Sequence, residues 1–174
     1  MHDHARTPLA RGFTLLELIV VLSILATISA AVVPIYGSSM QSLDIHNARR
    51  DFLAVLHFVQ QRAVSESREY RLYINEDEGC YWAMYLAGVE DEEKVFEYAP
   101  TEFGERIYFP EHLHISRINA EKDRKRKAHY VACYPNGACE RIKITFEDDR
   151  GRRRRFRVET HGYMGKIEVE DTRR

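Results

Sequence analysis

Cysteine is scarce in this chain, with 3 residues among 174, too few to staple a disulfide-built scaffold. Net charge is nearly absent too, at -1, so no global field draws the protein onto nucleic acid or anionic lipid. Signatures of catalysis are missing: there is no Gly-x-Ser-x-Gly elbow, no His-Glu-x-x-His and no phosphate-binding loop. Cysteine and histidine occur, but nothing in their spacing sets them up as nucleophile and base. An enzyme is therefore not expected. The acidic run Glu90-Asp91-Glu92-Glu93 lacks the alternating oxygen ligands and glycine of a calcium loop and reads as a solvated loop. His112 and His114 would share one face of a strand, but no third ligand accompanies them. No metal and no other cofactor is expected.

One long hydrophobic run is present. Phe13 to Ile35 spans 23 residues with a single charge, Glu17. At about 1.5 Å per residue such a helix is roughly 34 Å long, enough to cross a bilayer core of about 30 Å. A secretory signal is excluded, because its apolar stretch is shorter and is followed by a small-residue cleavage site. Here Ala26, Ala30 and Ala31 lie inside the run. A charge at mid-helix in lipid costs roughly 2.5–3.5 kcal/mol, so Glu17 calls for a partner and a task. Arg6 and Arg11 precede the run and the next arginines are Arg49 and Arg50. That asymmetry puts the N-terminus in the cytoplasm and the bulk of the chain across the membrane. In a Gram-negative cell the far side is the oxidising periplasm.

Beyond the run, Ile45, Ala48, Phe52, Val55, Val59 and Ala63 recur at helical three- and four-residue steps. One helix is expected from Phe13 to Ser67, with Pro34 removing a backbone donor and kinking it. From Glu69 the pattern changes to short strands. Tyr70–Ile74 and Cys80–Leu86 flank the turn-forming Asn75–Gly79, and further strands are expected near 95–98, 106–109, 113–118, 130–134, 142–146, 156–159 and 166–169. A long helix followed by many antiparallel strands gives an α+β fold, with the helix packed on a sheet. About 108 residues follow the helix, enough for a small core.

The stretch Arg11-Gly12-Phe13-Thr14-Leu15-Leu16-Glu17 resembles a type IV prepilin leader: a short basic segment ending in glycine, then a long apolar helix. The resemblance implies a leader of residues 1–12, cleaved between Gly12 and Phe13 by a prepilin peptidase that also methylates Phe13. It further implies an assembly and transmembrane helix over 13–35, its amphipathic continuation over 36–67, and a periplasmic β-rich domain over 68–174. Glu17 would then meet the Phe13 amine of a neighbouring subunit and set register in a helical filament. Tyr134-Pro135-Asn136-Gly137, Ile142–Phe146 and the last hairpin resemble the GspH/FimT group of minor pseudopilins and their pilus relatives. The implied function is a non-enzymatic subunit of the type II secretion pseudopilus, anchored in the inner membrane. Its implied partners are other pseudopilins or pilins and the membrane assembly platform.

Two local features stay open. Cys133 and Cys139 flank a hairpin turn where facing positions satisfy disulfide spacing. Lys122–Lys127 and Arg150–Arg155 are basic clusters that could meet in space and bind phosphates. The alternative function is thus a minor type IV pilin in pilus priming or DNA uptake, with Arg152, Arg153, Arg154 and Arg155 as nucleic-acid contacts; the competing reading of the clusters is two solvated loops.

Overall fold

A computed structural model describes residues 14–150, 155–162 and 166–172, with the side chains of 31–42 left out. The chain divides into two compact units, one ending at Ser42 and one covering Leu43–Arg174. Helix α1, Leu15–Ser65, contributes to both, and Pro34 and Gly37 fall inside it.

In the second unit the apolar stripe of α1 is the spine of the core. Phe52, Val55, Val59 and Ala63 are fully buried, and so is Leu56, which widens the stripe by one residue. A globular helix needs such a broad apolar face, not a narrow seam. Around it stand ten strands: β1 Tyr70–Asn75, β2 Cys80–Glu90, β3 Glu93–Tyr98, β4 Ile107–Tyr108, β5 Leu113–Asn119, β6 Glu121–Asp123, β7 Ala128–Cys133, β8 Lys143–Asp148, β9 Arg155–His161 and β10 Lys166–Thr172. They form two antiparallel sheets, in keeping with the expected α+β plan of a helix packed on antiparallel sheet. One runs β3-β2-β1-β7-β6, with β4 also paired to β2; the other runs β10-β9-β8-β5. All pairs are antiparallel. Strand β6 was not anticipated, because its sequence Glu-Lys-Asp carries no apolar alternation. It is held by pairing Glu121, Lys122 and Asp123 to Tyr130, His129 and Ala128 of β7.

Both sheets turn apolar faces to α1. Leu72, Tyr81 and Val131 of the first and Ile144, Phe146 and Val158 of the second share one core with the helix stripe. Phe52 is its hub, with ring centroids 5.2 Å from Tyr81, 5.4 Å from Phe146 and 5.9 Å from Phe109. Burying rings edge to face adds to the gain from area alone.

The opposite face of the first sheet has its own apolar cluster, including Tyr73, Trp82, Met84, Phe96 and Tyr130. The sheet curls around it. Strands β3 and β6 are the two ends of the sheet order, yet Lys125, after β6, meets Glu93 of β3 at 2.6 Å. Arg126 likewise donates to the Phe96 carbonyl at 3.4 Å. Arg71 lies between the Phe96 and Tyr130 rings, 3.9 and 4.1 Å from their centroids. Its guanidinium is paired with the buried Glu69 at 2.7 Å.

The acidic run is the turn of the β2–β3 hairpin. Glu90 faces Glu93, and Asp91 and Glu92 take φ of 47° and 67°. Two central residues at positive φ are what a tight two-residue hairpin requires.

Candidate functional site

The N-terminal end of α1 starts with a side-chain cap. The Thr14 Oγ1 accepts the Glu17 backbone N–H at 3.2 Å, and the Thr14 carbonyl accepts from Leu18 N–H at 3.2 Å. Thr14-Leu15-Leu16-Glu17 is a Ser/Thr-x-x-Glu spacing, so Thr14 fills the N-cap and Glu17 the third helical position. The sequence held that signal, but the glutamate drew all the weight. Among the described residues the Glu17 carboxylate has no ion-pair partner.

Every leucine, isoleucine and valine from Leu15 to Ile28 is exposed, with no polar face on the opposite side. The two hydroxyl residues in this stretch donate back into the helix: Ser23 to the Ile19 carbonyl at 2.8 Å and Thr27 to the Ser23 carbonyl at 2.8 Å. Their polar atoms are thereby satisfied without solvent. Among the described residues, no helix is long and apolar enough to cross a membrane. Gly12 and Phe13, the expected cleavage and methylation residues, lie outside the described residues.

Cys133 and Cys139 are joined by a disulfide, with Cα atoms 4.1 Å apart. The turn between them is closed by two backbone bonds, Gly137 N–H to the Tyr134 carbonyl at 2.9 Å and Tyr134 N–H to the Ala138 carbonyl at 2.8 Å. Gly137 sits at φ 81°, a conformation that favours glycine. Cys80 is free and buried, and burial pushes its thiol pKa up.

Among the described residues, four members of the two basic clusters are ion-paired. Lys125 pairs with Glu93, and Arg126 with Asp123 at 3.0 Å. That pairing holds the Glu93 carboxyl below its usual range. Arg155 pairs with Glu147 at 2.9 Å, and Arg150 with Asp44 at 3.1 Å. Lys122 lies in β6 of the first sheet and Arg155 in β9 of the second. Arg152, Arg153 and Arg154 lie outside the described residues.

The histidine pair also separates. Strand β5 begins at Leu113, so His112 precedes it and the shared strand face does not arise. The His112 ring contacts Arg150, and His114 Nδ1 lies 3.1 Å from Asp149. Among the described residues, no three histidine, cysteine or carboxylate side chains come together as a metal site.

Comparison with known proteins follows the same division. Residues 8–33 match the family described as the prokaryotic N-terminal methylation motif. No curated protein sequence matches the chain. The fold is similar to that of the minor pseudopilin EpsH from the type 2 secretion system of Vibrio cholerae. One solved structure of it has 10% identity and a TM-score of 0.54, covering 70% of this chain and 92% of that one. A second has 11% identity and a TM-score of 0.51, covering 69% and 88%. At such identity the likeness establishes the fold. The chain joins a match to the prokaryotic N-terminal methylation motif with an α+β fold like that of a minor pseudopilin.

Proposed function

We propose that this protein is a minor pseudopilin, a non-enzymatic subunit of a type II secretion pseudopilus. The observation that carries the reading is the union in one chain of the methylation motif at residues 8–33 with a fold like that of EpsH. Prepilin peptidase cuts after Gly12 and methylates Phe13. The run 13–35 anchors the subunit in the inner membrane with the N-terminus cytoplasmic. The domain 68–174 stands in the periplasm, and Pro34 marks the bend point of the helix.

Two features of the helix support this. An apolar surface on every side suits a lipid or filament-core environment, because a helix facing water on one side keeps that side polar. A carboxylate with no ion-pair partner among the described residues is suited to the Phe13 amine of the next subunit, and in low dielectric that pair strengthens. Its value lies chiefly in register, since a subunit one step out of place leaves Glu17 unpaired. A DNA-uptake role has less support, because Lys125, Arg126 and Arg155 are already ion-paired.

Mass spectrometry of the mature N-terminus, from cells that express a prepilin peptidase, tests the processing. N-methylated Phe13 is expected, with retention of the leader in Gly12→Val. A chain that still begins at Met1 in the presence of active peptidase would refute it. Deletion of the gene separates the systems: loss of exoprotein secretion with normal pili supports secretion, and the reverse supports a pilus.

A further inference from the structure

The Cys133–Cys139 bond is buried from several sides. Cys133 follows Val131 by two positions on β7, so both side chains point to the α1 face of the first sheet. Cys133 is 0% exposed and Cys139 4%, and both belong to the core that holds Val59 and Ala63 of α1. The turn between them lies against the same helix. Gln60 Nε2 donates to the Gly137 carbonyl at 3.4 Å, and a Cβ on Gly137 would stand 3.7 Å from a Val64 methyl. Just beyond Cys139, the Glu140 carboxylate accepts the Ala132 N–H at 3.2 Å and the Tyr134 hydroxyl at 3.1 Å. The Glu140 carbonyl accepts the Thr160 hydroxyl of β9 at 2.5 Å. The segment is tied to β7, β9 and α1 at once.

Thiol–disulfide exchange needs a thiolate and open access to sulfur. The folded domain denies the access, and thiols buried in apolar surroundings are inert. The turn itself needs neither α1 nor the second sheet. Asn136 Oδ1 accepts the Ala138 N–H at 3.0 Å, and the two backbone bonds that close the turn lie within it. The disulfide spans 6 positions, whereas pairing with the distant Cys80 would close a far longer loop at greater entropy cost. In the folded domain that rival is excluded, because Cys80 belongs to the cluster on the opposite face of the first sheet.

We infer that Cys133 and Cys139 are oxidised before α1 docks on the turn, and that docking then seals the bond. The folded chain is the product of a dithiol oxidation by a disulfide-bearing oxidant acting on the undocked domain. One cysteine thiolate attacks the oxidant's disulfide, giving a mixed disulfide and expelling the oxidant's other sulfur as a thiolate. The second cysteine thiolate attacks the chain's sulfur in that mixed disulfide, forming Cys133–Cys139 and expelling the oxidant's first sulfur. The two cysteine protons and two electrons leave with the oxidant as two thiols. The inference goes beyond the secretion reading and holds without it.

The test uses the full chain in detergent micelles, with alkylation and mass spectrometry to count disulfides. Dithiothreitol is added to the oxidised chain, folded or unfolded in urea. The folded bond is expected to be reduced at least about a hundredfold more slowly, since attack waits for an opening of the core. Val59→Ala, which loosens α1, should speed reduction of the folded chain at least about fivefold. In the second arm the reduced chain is refolded from urea, with oxidised glutathione added at dilution or after refolding. Early addition is expected to give the Cys133–Cys139 bond with Cys80 free, and late addition to act at least about a hundredfold more slowly. A reduced chain that stays unfolded until oxidant arrives supports the same order. Equal reduction of folded and unfolded chains, a folded Val59→Ala protein no more reducible than the parent, or equal oxidation of a chain already refolded would each overturn the inference.

Discussion

Phe52 is the side chain through which α1 holds both sheets, so Phe52→Ala is the sharpest test of the packing. The residue is 0% exposed, and its ring meets Tyr81 of one sheet, Phe146 of the other and Phe109 between them. Truncation removes the buried transfer energy and leaves a cavity walled by three aromatic rings that cannot all collapse inward. Phenylalanine-to-alanine changes at such sites cost about 3–5 kcal/mol. For a unit the size of 43–174, at about 2.1 cal/mol/K per residue, a loss of about 4 kcal/mol lowers Tm by roughly 15 °C. Phe58 supplies the contrast. It is half-buried, and its ring meets Phe103 at 4.8 Å and Tyr70 at 6.4 Å, with the Arg62 guanidinium 5.4 Å from its centroid. Phe58→Ala should cost about half as much or less, since less area leaves water. Near-UV circular dichroism on heating, with the full chain in micelles, gives both values. A Phe52→Ala protein that melts within about 3 °C of the parent, or above Phe58→Ala, would refute the assignment of Phe52 as hub.

Other consequences are equally direct. Reducing the Cys133–Cys139 bond, which spans 6 positions, should cost about 2 kcal/mol by loop-closure entropy, read as a fall in the urea midpoint on adding reductant. Cys133→Ser with Cys139→Ser should then be indifferent to reductant. Burial and the Glu66 contact push Tyr70 up to about 12, and burial with Glu140 pushes Tyr134 up to about 12. A folded pKa raised above the unfolded value of about 10 keeps its stabilisation at lower pH and loses it as pH climbs through about 12. The urea midpoint should therefore fall steadily across about pH 10–12, and a flat profile there would contradict the burial of these phenols. Glu17→Ala should leave leader cleavage intact but remove the subunit from filaments, scored by immunoblot of sheared material; normal incorporation would sink the register role.

The elements were largely legible in sequence because each is written in local chemistry. The helix stripe, the turns at Asn75–Gly79 and Pro135–Gly137, and the beginnings of β1 and β2 follow from periodicity and turn residues that act over a few positions. Asn75 shows why: its side chain accepts the Asp77 and Glu78 N–H groups at 3.0 and 3.0 Å, a turn complete within its own neighbourhood. Strand β6 was missed because its pairing with β7 supplies what its sequence lacks. From sequence the basic loops could repel each other or face the acidic runs, since no local rule says that Lys125 and Glu93 meet across a curled sheet.

By itself the sequence determined the features that depend on order along the chain: the glycine-phenylalanine junction, the lone glutamate in an apolar run, and the helix-then-strands plan. Tertiary structure decided which strands are neighbours, and so divided the strands into two sheets clasping α1. It also decided which charges are neutralised. Those outcomes rest on contacts between residues far apart in sequence, where register and burial, rather than composition, select one partner among many. A pattern of period two marks a strand but does not name its neighbour.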